Sequence, residues 1–168
     1  MPKIIENLEA RLIQEAQKQI ETSGYSTMTI RSVAKACGVG VGTVYNYFPS
    51  KEHLLATYLL RDWNTCFSTI HSVSETADSP VPVLRCIHEQ LFLYIRRNEN
   101  IFHDDAAISA VAASFSRFHS FLRTQLSQPI RRFCRSAFEA EFLIESLLVW
   151  TSERKTFEEI FEVIQRLL

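Results

Sequence analysis

The residues best equipped for chemistry lie in the run Gly40-Val41-Gly42-Thr43-Val44-Tyr45-Asn46-Tyr47, followed closely by Lys51. Hydroxyls, one amide and one ammonium can donate and accept hydrogen bonds, but they contain no nucleophile paired with a base. Their chemistry is recognition. Elsewhere Ser, His and Asp occur without a G-x-S-x-G elbow, so no catalytic residue is expected and the chain does not read as an enzyme. Gly38-Val39-Gly40-Val41-Gly42 is not a nucleotide loop, because no strand precedes it and neither G-x-G-x-x-G nor G-K-[ST] follows. His103-Asp104-Asp105 can be drawn as a metal cluster, yet His71, His88 and His119 are spread over distant positions. Neither a metal site nor a cofactor is expected. Cys37, Cys66, Cys86 and Cys134 form no C-x-x-C pair, which points to reduced thiols.

These residues need helices to position them. All four glycines (Gly24, Gly38, Gly40, Gly42) fall near the N-terminus, and the prolines sit where helical patterns begin or end. Ile5, Leu8, Leu12, Ala16 and Ile20 recur at helical spacing, predicting an amphipathic helix over about residues 3–23 that Gly24 stops. Thr29 stands as an N-cap before a short helix through Ile30, Val33 and Ala34, ending near Cys37 and Gly38. After one tight turn a second short helix carries Val41 to Tyr47. Val44 and Phe48 should face inward onto Val33 and Ala34, leaving Thr43, Tyr45, Asn46 and Tyr47 outward. Ser50 caps a long helix with a stripe through Leu55, Tyr58, Leu59, Asp62, Cys66, Phe67, Ile70 and Val73. The stretch Ser74–Pro82 reads as a loop, NENIFHDD as a loop or short turn, and Pro129 as the start of a helix running through Leu148. Thr156 with Glu159 makes a capping box for a last helix.

The fold class expected is therefore all-α, with about nine helices: residues 1–50 as a three-helix helix-turn-helix domain, and residues 51–168 as a second helical domain. Two short helices around a glycine turn, held between longer ones, suit a major groove about 12 Å wide. Lys51, at the start of the next helix, can meet a phosphate with its charge and with free backbone N–H groups.

An apolar fraction of 46% excludes a disordered chain, and no apolar run approaches the roughly 20 residues of a membrane span. The N-terminus is amphipathic with acids throughout, unlike a secretory or transit signal, so a cytoplasmic protein is expected, nucleoid-associated through its DNA contacts. Net charge is -1 overall, and residues 1–55 hold six Lys/Arg against five Glu. DNA affinity must come from placement rather than from a basic patch.

The stretch TIRSVAKACGVGVGTVYNYFPSKEHLL resembles the DNA-binding domain of the tetracycline-repressor (TetR) family, through Val33-Ala34, Cys37-Gly38-Val39, Gly42-Thr43-Val44-Tyr45, Tyr47-Phe48 and Ser50-Lys51-Glu52. The resemblance covers about the first third of the chain. It implies phosphate contacts by Thr29, Thr43, Tyr47 and Lys51, and places Gly42, Tyr45 and Asn46 at or near base edges. Gly40 stands where the family often has a capping Ser or Thr, and Val41 where a polar residue is frequent. Val41 can instead touch a thymine methyl.

The resemblance further implies a cavity for a small apolar or amphipathic effector, with Phe67, Phe92, Phe102, Phe115, Phe118 and His119 as its candidate walls. Taken singly, each aromatic is as well explained by core packing. Phe142 to Trp150 is apolar around most of its circumference and so needs covering on two sides. With the last helix it resembles the family's two-fold interface; Phe142, Leu143, Leu147, Trp150, Phe157, Phe161 and Ile164 are its candidate residues. The function expected is a homodimeric repressor released from a palindromic double-stranded DNA operator by an effector. Two alternatives stand beside it: a nucleoid or division protein of the same fold without an effector, and an effector-binding protein that has lost DNA affinity.

Overall fold

The computed structural model describes residues 7–166, with the side chains of 111–118 outside that description. The described residues form nine α-helices: α1 (Leu8–Ser23), α2 (Ile30–Cys37), α3 (Val41–Tyr47), α4 (Lys51–Thr76), α5 (Pro80–Arg97), α6 (Glu99–Phe102), α7 (Asp105–Ile130), α8 (Ala137–Ser152) and α9 (Phe157–Ile164). One 3₁₀ turn, Arg131–Phe133, separates α7 from α8. The expected start of the first helix at about residue 3 lies outside the described residues.

Two compact units divide the chain. One takes Met1–Arg61 with Asn98–Ala113, and the other Asp62–Arg97 with Ser114–Leu168.

The first unit is built from local chemistry. In α1, Leu8, Leu12, Ala16 and Ile20 repeat at one helical stripe and are all buried. Thr29 caps α2 reciprocally: its Oγ1 accepts from Ser32 N at 3.0 Å, and Ser32 Oγ accepts from Thr29 N at 3.0 Å. A side-chain cap of this kind contributes about 1 kcal/mol. Gly38, at φ 68°, ends α2 in the left-handed region, where a side chain would be strained. Its turn is closed by Val39 N donating to Ala34 O at 3.0 Å. Arg11 crosses from α1 and donates to Cys37 O at 3.1 Å, placing a cation at the negative end of α2.

The second unit is organised around Trp63, which is fully buried. Its indole packs edge-on against Tyr94 with centroids 5.5 Å apart, and Nε1–H donates to Gln125 Oε1 at 2.7 Å. With its packing and its satisfied N–H, truncating it should cost about 3–5 kcal/mol. Asp62, which breaks the expected apolar stripe, pairs with Arg97 at 3.1 Å, and Arg97 also donates to Cys66 Sγ at 2.9 Å. In the same unit α5 packs on α8 and on α9. His88 Nε2 lies 2.9 Å from Lys155 O, which can only accept, so that nitrogen carries the proton.

The sequence expectations fail around three prolines. The expected loop Ser74–Pro82 is shorter: Ser74 to Thr76 end α4, and Pro80 and Pro82 belong to the first turn of α5, which has N–H groups to spare. Pro129 closes α7 rather than opening the next helix; α8 starts after Ser136, whose Oγ accepts from Glu139 N at 3.0 Å.

Candidate nucleic-acid interface

Burial sorts α3 into two faces. Val44 and Phe48 are buried at 0% and 2% exposure, as are Val33 and Ala34 of α2. Gly40, Gly42, Tyr45, Asn46 and Tyr47 are exposed, and Val41 and Thr43 half-buried. The inward and outward faces expected from the spacing are those found. Gly40 is the N-cap of α3 and supplies no side-chain cap.

A groove of about 550 Å³ brings Thr29, Val41, Tyr45 and Lys51 together with Met28, Ile30 and Arg31. Arg31 is exposed at the start of α2 and did not stand out in the sequence. Its only signal was its position two residues after a capping threonine. Thr29 Oγ1 already accepts from Ser32 N, so its own O–H remains to donate to an oxyanion. Ser50 Oγ accepts from His53 N at 3.1 Å, which fixes the start of α4 beside Lys51.

Lys51 does not swing freely. Its ammonium sits over the Tyr25 ring, 4.0 Å from the centroid, and partial burial lowers its pKa against the pull of Glu52 and Asp104. Tyr25 is itself buried, and burial, reinforced by the carboxylates of Glu52 and Asp104, pushes its hydroxyl up to about 12. Glu52 is held below the usual carboxylate range, chiefly by a hydrogen bond from Ser50. Asp104 Oδ1 accepts from Ala106 N and Ala107 N at 2.9 and 3.0 Å and so caps α7.

Of the six candidate effector residues, Phe67, Phe92, Phe102 and His119 have described side chains. Phe67 is half-buried in a shallow groove of about 350 Å³ with Asn64, Ser68, His71, Ser72 and Glu75. Phe92 is exposed, with the Arg96 guanidinium 5.8 Å from its ring, and does not line that groove. Phe102 is half-buried and belongs to the first compact unit. His119 faces Glu145 at 3.5 Å, and Arg123 meets the same carboxylate at 3.7 Å. The side chains of Phe115 and Phe118 lie outside the described residues.

The candidate dimer residues separate by face. Leu143 and Leu147 are fully buried, and Phe157 and Ile164 nearly so, within the chain's own core. Leu143 and Leu147 lie on α8, which is apolar all round and gives no sign in the sequence of which side faces inward, whereas Phe157 and Ile164 lie on the buried stripe of the amphipathic α9. Phe142 and Trp150 are about half exposed, Phe161 is half-buried, and Phe138 and Val163 add 76% and 64% exposure. Phe142, Trp150, Ile160 and Val163 line a groove of about 520 Å³.

Comparison with known proteins matches residues 12–58 to the family model for bacterial regulatory proteins, tetR family. The HTH-type transcriptional regulator YuxN of Bacillus subtilis is 35% identical over 72 residues, covering 43% of this chain and 25% of that protein. The HTH-type transcriptional repressor KstR of Rhodococcus jostii is 40% identical over 53 residues, covering 32% of this chain and 25% of that protein. The matched stretch thus spans about a quarter of the length of these two relatives. Among solved structures, a transcriptional regulator of Streptomyces coelicolor superposes with a TM-score of 0.73 at 14% identity, covering 95% of this chain and 97% of that one. Thermus thermophilus FadR, solved with lauroyl-CoA, gives a TM-score of 0.62 at 20% identity, covering 95% and 92%. At these identities the likeness is one of fold. No helix among the described residues is long and apolar enough to cross a membrane.

Proposed function

We propose, from the premise that the N-terminal domain of this chain belongs to the TetR family, that the protein is a transcription regulator that binds a palindromic operator as a homodimer. The observation that carries this reading is the convergence of Thr29, Val41, Tyr45 and Lys51 on one groove beside the exposed face of α3. In it, α3 enters the major groove and Lys51, Thr29, Thr43 and Tyr47 hold phosphates. A lysine already parked on an aromatic ring loses less conformational freedom on reaching a phosphate. Residues 1–50 read DNA, and residues 51–168 provide pairing and effector response.

Pairing through α8 and α9 is supported by the exposure of Phe142, Trp150 and Val163 and by the groove between them. An isologous contact of this kind gives the two-fold axis that a palindrome requires. A small apolar or amphipathic effector fits the fold shared with the FadR that holds lauroyl-CoA. To release DNA it must favour one spacing of the two recognition helices.

Light scattering of the full chain, with DNA titrations at several salt concentrations, tests this function. The expected result is twice the 19.4 kDa chain mass and an affinity that falls steeply with salt. A monomer at micromolar concentration, or no retention on DNA at low salt, would overturn it.

A further inference from the structure

Resting on the DNA-binding function above, we infer that α3 reads a half-site core of A·T pairs, with Asn46 on adenine and Val41 and Tyr45 against thymine methyls. The outward arc of α3 has Gly42 and Asn46 one turn apart at its centre, with Tyr45 and Val41 beside them.

Three observations converge on that assignment. The first is what the arc lacks: no residue of Val41–Tyr47 is charged, so it cannot form the bidentate Arg or Lys contact that most often reads guanine. The second is the state of its amide. The Asn46 side chain is exposed, so its amide donor and acceptor are both open to a partner. An amide with one of each matches the N6 donor and N7 acceptor of adenine, which no other base presents together in the major groove.

The third is the room at Gly42. A Cβ there would meet nothing within 4 Å, and its backbone is not in the left-handed region. The protein's own packing and backbone therefore do not require glycine, and alanine is the better helix former. Glycine at the centre of the reading face leaves space that a base edge can fill. Beside it, Val41 is half-buried in the groove wall and Tyr45 is 50% exposed, so apolar surface lies where a thymine methyl would project.

The test is selection of full-length protein against randomised duplex DNA, followed by titrations of the enriched site. Enrichment of half-sites with A·T cores is expected. Asn46→Ala should lower the preference for adenine at one position by roughly tenfold. Uracil in place of thymine should weaken wild type several-fold and the Val41→Ala variant by less. Gly42→Ala should melt at or above the wild-type temperature yet bind the site less tightly, separating a DNA-contact role from a folding role. Enrichment of a G·C core indifferent to Asn46 would overturn the inference and leave the DNA-binding function standing. Binding with no sequence preference would overturn it too, while keeping DNA affinity. Failure to bind any duplex would remove that function and the inference together.

Discussion

Helices α3 and α8 both expose aromatic side chains, but different kinds. On α3 the exposed rings are Tyr45 and Tyr47, each with a hydroxyl, and Lys51 and Arg31 stand nearby. On α8 they are Phe138, Phe142 and Trp150, and of the charged groups only Lys155, Glu159 and Glu162 line the groove that Phe142 and Trp150 share. Exposed rings with polar tips suit a wet, anionic partner, whereas exposed hydrocarbon gains most from being covered. Equal exposure can thus mark two kinds of surface, and the groups around each ring distinguish them.

The contrast breaks most sharply at α8. Replacing both Phe142 and Trp150 with glutamate should halve the mass seen by light scattering and cut operator affinity by roughly a hundredfold or more, because each half-site is then bound alone. A double variant that stays dimeric would show that this face is not the pairing surface. A smaller effect is expected at the other end: Lys51→Ala should weaken binding by about tenfold on every sequence and reduce the salt slope by about one. A loss confined to one sequence would move Lys51 from the phosphate backbone to a base.

The smallest effect belongs to Tyr25. Its folded pKa of about 12 lies above the ordinary value of 10.0, so the unfolded chain gives up this proton first as pH rises. Its contribution to stability is complete below pH 10 and fades as pH climbs towards 12. Ultraviolet titration of the folded protein should therefore show a late tyrosine step at about pH 12, and Tyr25→Phe should remove it. A Tyr25→Phe protein whose titration keeps the late step would refute the assignment.

How much of this was legible in the sequence depends on how local the physics is. Thr29, Gly38 and the Thr156–Glu159 box act within a few residues of themselves, and the structure places them as their spacing predicts. Prolines were ambiguous: Pro80 and Pro82 sit in the first turn of α5, where a missing N–H costs no helical bond, whereas Pro129 sits in the last turn of α7 at the cost of one. Ser136 and Glu139 carried the true start of α8, but Pro129 drew attention away from them. Trp63 was missed because the stripe on α4 was laid through its neighbour Asp62, which pairs with Arg97 instead. The Lys51–Tyr25 contact joins residues that no short-range rule connects, and the inner face of α8 is decided by packing against α5 and α9.

Gly40 leaves the front of α3 without a side-chain cap, in contrast to the reciprocal cap on α2. Gly40 N thus lacks the side-chain acceptor that Thr29 N finds in Ser32 Oγ, and it should exchange hydrogen with solvent faster in the free protein. On DNA that turn should become protected. Part of the binding energy is then spent on ordering the helix that does the reading, which leaves its front edge able to adjust to the base steps it meets.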